Sequence, residues 1–175
     1  TNIEHDHVDF FKTPESVILA FEKFVETISS DGFLVYCADD KGSRGLGDRI
    51  VQCERISYGV DQAADLRIDQ IELYPSSSRA RVLWKGRKIG LLELQGPGHH
   101  NLLNAAAALA AGLSFGLSAP HLISGLATFR GTGRRFELKG QVRGIRVVDD
   151  YAHHPTEIDV TLDAAKRYAT DGRVL

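Results

Sequence analysis

Ile145-Arg146-Val147-Val148-Asp149-Asp150-Tyr151-Ala152-His153-His154-Pro155-Thr156 decides the fold class of this chain. Residues 145–150 form an apolar run that ends in two carboxylates. That reads as a β-strand whose C-terminal end carries polar groups. Thr156 reads as the cap of a helix, because Ile158, Leu162, Ala165 and Tyr168 follow at helical spacing. Gly172-Arg173-Val174 then reads as a second strand just starting. Strand, polar turn, helix and strand open a βαβ unit, so the class is α/β. In such sheets ligands bind outside the carboxyl ends of the strands. Asp-Asp-Tyr-x-His-His-Pro-Thr at a strand end is too rich in functional side chains for a plain turn.

Upstream, residues 13–28 are predicted to be a helix, capped by Thr13, with Pro14 first and Val17, Phe21, Phe24 and Ile28 on one face. Residues 33–37 form a short apolar run that reads as a buried strand. The polar, glycine-rich residues 39–48 are expected to be a loop. Short strands follow around residues 57–59, 64–73, 80–85 and 89–94, the last two joined by a hairpin turn at Lys85-Gly86. The alanine-rich residues 101–115 must be helical. Ser118 is expected to cap a further helix, which Gly131-Thr132-Gly133 breaks. The domain boundary is expected near residues 136–144, giving units of residues 1–136 and 137–175.

Of the 175 residues, 43% are hydrophobic and 25% charged, enough apolar material for a core. Twenty-one basic and 23 acidic side chains give a net charge of −2, and no basic block suggests a nucleic-acid partner. No stretch approaches the roughly 20 apolar residues of a membrane span. Cys37 and Cys53 have no metal-ligand or CxxC spacing and read as free thiols of a cytosolic protein. The chain opens on Thr1 without methionine, and both ends are expected to be cut from a longer protein.

Four constellations carry candidate chemistry. Thr1-Asn2-Ile3-Glu4-His5-Asp6-His7-Val8-Asp9 crowds metal-capable side chains together. It fits a solvated acidic turn or a magnesium site beside ATP. It also fits a zinc hydrolase using His5, His7 and Asp9, although Phe10 stands where the metallo-β-lactamase motif continues with histidine. Gly96-Pro97-Gly98-His99-His100-Asn101-Leu102-Leu103-Asn104 places two asparagines three apart. Their amides suit an adenine edge, and equally suit helix capping. Gly131-Thr132-Gly133-Arg134-Arg135-Phe136 offers guanidinium groups for phosphate, or a charged linker. The loop after residues 145–150 is the fourth.

In this order and spacing the four motifs resemble those of the Mur ligases. These are Thr-Asn-Ile-Glu-x-Asp-His-x-Asp, Pro-Gly-x-His-Asn-x-x-Asn-Ala, Gly-x-Gly-Arg-Arg-Phe and Asp-Asp-Tyr-Ala-His-His-Pro-Thr-Glu-Ile. The resemblance spans nearly the whole chain. It implies the later part of a central P-loop-type ATPase domain, followed by the first βα unit of a Rossmann-like C-terminal domain. It implies an ATP- and Mg²⁺-dependent bacterial cytoplasmic ligase of cell-wall synthesis that joins L-alanine to UDP-N-acetylmuramate. The branch that adds a whole tripeptide to the same acid is the nearest alternative. By the same resemblance His7 would serve Mg²⁺, His100, Asn101 and Asn104 the adenine and ribose of ATP, and Asp150 the ribose. Arg135 would face the γ-phosphate, and Tyr151 and His153 would lie near the muramoyl acid and L-alanine. Relatives of other specificity carbamylate a lysine near the start of the first helix, and Lys23 lies in about that place. The family's phosphate loop, Gly-Thr-x-Gly-Lys-Thr/Ser, is absent, since Gly42-Ser43-Arg44-Gly45-Leu46-Gly47 lacks the following Lys-Ser/Thr. That loop is expected upstream of Thr1.

Overall fold

The apolar run Phe33–Cys37 is strand β1, which pairs in parallel with β2 (Glu54–Gly59) in the computed structural model, where residues 1–169 and 172–175 are described. β2 pairs in parallel with β3 (Leu66–Leu73), and β3, β4 (Ser78–Trp84) and β5 (Arg87–Leu94) continue antiparallel, so the sheet runs 1-2-3-4-5. Lys85 and Gly86 have φ of 47° and 78°, the left-handed pair that a two-residue hairpin turn requires. A bulge between Asp69 and Glu72 shifts the β3–β4 register, with Gln70 at φ 48°.

Helix α1 (Pro14–Val25) starts at Thr13 with a capping box, and α2 (Lys41–Arg49) follows β1. α3 (His99–Ser114) lies across the sheet, with α4 (Ala119–Thr128) beside it and against β5. Leu102, Ala106, Leu109 and Ala110 of α3 are fully buried against Ile56, Leu66, Ile68, Val82 and Leu92. Each buried leucine is worth roughly 1.5–3 kcal/mol, so α3 anchors this unit. The alanines let the helix axis approach the sheet closely.

The second unit is a hairpin of β6 (Glu137–Val142) and β7 (Ile145–Asp149), turned at Arg143-Gly144, with helix α5 (Pro155–Tyr168) behind it. α5 is held by the Phe136–Tyr168 edge contact, 5.5 Å between centroids, and by Arg146, whose guanidinium donates to the Tyr168 carbonyl at 2.7 Å. The membership in α/β and the strand-to-helix switch stand as expected.

Several sequence expectations need correction. Residues 39–48 are not a loop: α2 forms there because the Asp40 carboxylate caps it, accepting from Ser43 N at 2.6 Å, and because Leu46 is buried beside Val25 and Ile50. A glycine costs roughly 1 kcal/mol in a helix, and of the three here Gly42 and Gly47 are needed for close packing, whereas Gly45 faces open space. A Cβ on Gly47 would sit 2.6 Å from the Tyr36 ring. Residues 137–142, for which no strand is expected, form β6. α5 is capped at His154, one residue before Pro155, and Thr156 lies within its first turn. α1 stops at Val25, and Lys23 is in its last turn rather than near its start. Ser118 stands at the N-cap of α4, but its hydroxyl bonds His121 Nδ1 at 2.6 Å instead of a backbone N–H. Residues 172–175 form no strand.

Candidate functional site

Residues 1–9 run along the α1–α2 side of the first unit. Asp40 Oδ1 accepts from Ile3 N at 3.1 Å while it caps α2, and Ile3 packs against the Val25–Leu46–Ile50 cluster. The segment therefore carries Glu4, Asp6 and His7 on a fixed backbone. His7 has φ 49°, its N–H donates to Asp6 Oδ1 at 2.6 Å, and its carbonyl accepts from Phe10 N and Phe11 N. Its imidazole is largely exposed, with Nε2 4.0 Å from Asp6. His5 turns the other way and donates from Nε2 to the Phe11 carbonyl at 2.9 Å. Among the described residues no three His, Cys, Asp or Glu side chains converge to hold a metal ion. The zinc reading on His5, His7 and Asp9 is therefore not supported.

At the start of α3, Gly98 takes φ 100° as N-cap, a conformation that favours glycine. Asn101 is not the cap. Its side-chain amide donates to the Pro97 carbonyl at 2.7 Å, bracing the turn that leads into the helix. Asn104 is exposed one turn further on. His100 is half-buried, and burial pushes its pKa down, opposed by nearby Asp150 and assisted by His99 and Arg135. It is thus a neutral imidazole near pH 7 that lies in the field of Asp150 and Arg135.

The loop after β7 folds around two carboxylates. Asp150 accepts from Phe136 N and Ala152 N, both at 2.8 Å, tying the residues 131–136 turn to the loop. Glu157 accepts from His153 N at 3.2 Å and lies 3.4 Å from the Arg135 guanidinium. Burial raises the Glu157 pKa, but the His153 and His154 N–H groups and Arg135 lower it by more. Arg134 stacks over the Tyr151 ring at 4.5 Å, and the Tyr151 N–H donates to the Arg134 carbonyl at 2.8 Å. The His153 ring donates from Nδ1 to the Tyr151 carbonyl at 2.9 Å and meets the Tyr151 ring edge-on. Arg134 and Phe136 have φ of 58° and 50°. With His7, three non-glycine residues here occupy a conformation that costs roughly 1–3 kcal/mol each.

The two units meet at this loop. The Thr156 hydroxyl donates to Glu4 Oε2 at 2.7 Å, and His154 Nδ1 lies 3.2 Å from the same carboxylate. The Thr156 bond is the main reason that the Glu4 pKa is lowered. His153 Nε2 lies 3.9 Å from Asp6. A cleft of about 420 Å³ opens between the units, with Phe11, Val17 and Phe21 on its apolar side and Glu4, His7 and His154 on its polar side. The structure thus brings His7, Arg135, Tyr151, His153 and Asp150 to one interface, with His100 near it through Asp150 and Arg135. Sequence reasoning offered Glu4 and Asp6 only as metal-capable side chains and gave Glu157 no role of its own. Their pairing with groups more than 100 positions away in two cases leaves no local signal.

Residues 1–112 match the Mur ligase middle domain, and residues 134–175 match the Mur ligase, glutamate ligase domain. The chain belongs to the Mur ligase family. A relative from Kineococcus radiotolerans, named UDP-N-acetylmuramate--L-alanine ligase, is 45% identical over all of this chain, which covers 37% of the relative. A relative of the same name from Clostridium kluyveri is 43% identical over 95% of the chain and 36% of its own length. The chain thus spans little more than a third of the Mur ligases it matches. The solved UDP-N-acetylmuramate-alanine ligase MurC from Thermotoga maritima superposes with TM-score 0.77 at 29% identity, over 96% of this chain and 37% of that one. The murein peptide ligase from Psychrobacter arcticus gives 0.69 at 31% identity, over 97% and 34%. MurF from Acinetobacter baumannii gives 0.85 at 22% identity, over 95% and 36%, and so speaks to the Mur ligase fold alone.

Proposed function

We propose that this chain carries the interface between the ATP-binding and C-terminal domains of a UDP-N-acetylmuramate–L-alanine ligase of the bacterial cytoplasm, with the domain boundary at residues 136–137. One observation carries the reading: residues 1–9, Arg135 and the loop after β7 converge in a chain 45% identical to a relative of that name. The same name on the Clostridium kluyveri relative favours the alanine-adding branch over the tripeptide-adding one.

A carboxylate does not acylate an amine at neutral pH. ATP first converts the muramoyl carboxylate to an acyl phosphate, and the L-alanine amine then attacks it and releases phosphate. Phosphoryl transfer of this kind is mainly positioning and charge neutralisation. Arg135, exposed on the residues 131–136 turn and braced by Glu157, supplies a guanidinium for the γ-phosphate. His100, Asn101 and Asn104 at the start of α3 serve adenine and ribose, and the Pro97–Asn101 brace keeps that turn in shape. Asp150 holds the loop through two backbone bonds and faces the ribose with its remaining acceptor capacity. Tyr151 and His153 present their rings to the acyl centre. Mg²⁺ riding on phosphates needs only one or two protein ligands, and the exposed His7 imidazole fits as one of them. When bound, the ion neutralises phosphate charge.

The test is phosphate release by the full-length protein with ATP, UDP-N-acetylmuramate and L-alanine. Release that depends on all three supports the reading. Release with the tripeptide but not with L-alanine overturns it in favour of the recycling branch.

A further inference from the structure

We infer that Glu4 is a positioning residue, the first-unit half of a clasp that holds the two units closed over the site, with Thr156 and His154 as the other half. The inference rests on the functional reading above for what the closed site does, but not for the clasp itself. Glu4 is anchored from behind, since the adjacent Ile3 is hydrogen-bonded to Asp40 and packed on the α2 cluster. Its carboxylate is fully engaged: Oε1 accepts from the Asn2 amide at 2.8 Å, while Oε2 takes the Thr156 hydroxyl at 2.7 Å and faces His154 at 3.2 Å. Glu4 and Thr156 are 152 positions apart, and no core packing depends on either side chain. The bond therefore reports on the relative placement of the units rather than on their folding.

The neighbouring Asp6–His153 approach at 3.9 Å lies on the same seam, so the clasp bears directly on the residue proposed to face the acyl centre. A charge-assisted hydrogen bond between partly exposed groups biases an equilibrium by roughly two- to tenfold. That is enough to set the closed population without locking it, as a catalytic cycle with product release requires.

The experiment uses the full-length protein with nitroxide labels at positions 26 and 143, both exposed, in a Cys53→Ser background. Pulsed electron resonance then gives the distance distribution with a non-hydrolysable ATP analogue bound. Glu4→Ala and Thr156→Val should each lower the short-distance population relative to the long one by about two- to tenfold. The double variant should fall no further than Glu4→Ala alone, because Glu4→Ala already removes both the Thr156 and the His154 contacts. Glu4→Gln, which keeps an acceptor for Thr156, should restore part of the population. In turnover, kcat should fall by a similar factor with KM for ATP unchanged and the unfolding midpoint unmoved. An unaltered distance distribution in Glu4→Ala and Thr156→Val, or single effects that multiply in the double variant, overturns the clasp. Should Glu4→Ala fail to fold, Thr156→Val alone decides. Absence of ligase activity in the unmodified protein would defeat the functional reading, whereas the distances would still judge the clasp.

Discussion

At the residue scale, position and partner matter more than residue type. Asn101 and Asn104 share a helix face, yet one is committed to the Pro97 carbonyl and the other is exposed and open to a ligand. Asn104→Ala should therefore raise KM for ATP in the full-length enzyme about tenfold, the worth of one good hydrogen bond, and leave KM for the UDP substrate unchanged. An unmoved KM for ATP in a folded variant would return Asn104 to a solvated residue of the first turns of α3. Asp69 shows the same dependence on partners. Arg81 binds it through two nitrogens at 2.7 and 2.8 Å, with Arg67 at 2.9 Å, and its pKa is lowered chiefly by the Arg81 hydrogen bond. A carboxylate whose folded pKa is depressed stabilises the fold above its unfolded pKa, near 3.9. That contribution disappears as pH falls through the lower, folded value. Asp69→Asn should thus cost about 1 kcal/mol at pH 7 and converge with the parent in acid, once the pH lies below the carboxylate's lowered folded value. Urea titrations at pH 7 and in acid check it; equal loss at both would exclude the ion pair.

At the element scale, α2 is the instructive case. Three glycines in nine residues argue against a helix, and the sequence expectation was a loop. The helix exists because the Asp40 cap and the buried Leu46 offset that cost, and because Gly47 lets the helix lie directly on the Tyr36 ring. Glycine to alanine in a helix normally gains up to about 1 kcal/mol. At Gly47 a Cβ would meet three ring carbons at 2.6–2.7 Å. Overpacking of this kind costs typically 1–3 kcal/mol, so Gly47→Ala should lower the denaturation midpoint. At Gly45, where a Cβ would meet nothing within 4 Å, the same change should raise it. A stabilised Gly47→Ala variant would show that α2 does not rest on β1 as described.

At the scale of the whole molecule, the second unit is underpacked. A two-stranded hairpin is marginal by itself, and Leu138, Val142, Ile145 and Val147 of β6 and β7 are about half or more exposed. Contacts around Phe136, Tyr168 and Ala164, the Arg146 bond to the Tyr168 carbonyl, the Asp150 and Glu157 bonds and the Glu4 seam, rather than a covered sheet, hold α5 and its loop in place. The 175-residue chain has no Gly-Thr-x-Gly-Lys-Thr/Ser loop and so no lysine and hydroxyl of that kind for the β- and γ-phosphates. Tested alone beside the full-length protein, it should show no phosphate release with ATP, UDP-N-acetylmuramate and L-alanine. Comparable turnover by the two would refute the assignment of phosphate binding to residues outside this chain.

Local chemistry made much of this legible in the amino-acid sequence. The apolar run before Asp149-Asp150, the alanine-rich α3, the Thr13-Pro14 start of α1 and the Lys85-Gly86 turn each rest on propensity or periodicity within a few residues, and all appear as expected. The four motifs named the family for the same reason, since each is contiguous. What the tertiary structure alone decided involves partners far apart in the chain. Helix α2 depends on Tyr36 and Val25, which lie outside it on β1 and α1. The cap of α5 moved from Thr156 to His154, leaving the Thr156 hydroxyl for Glu4. No spacing rule reaches across 152 positions, because the energy of that contact is set by how the two units pack, not by either neighbourhood in the sequence.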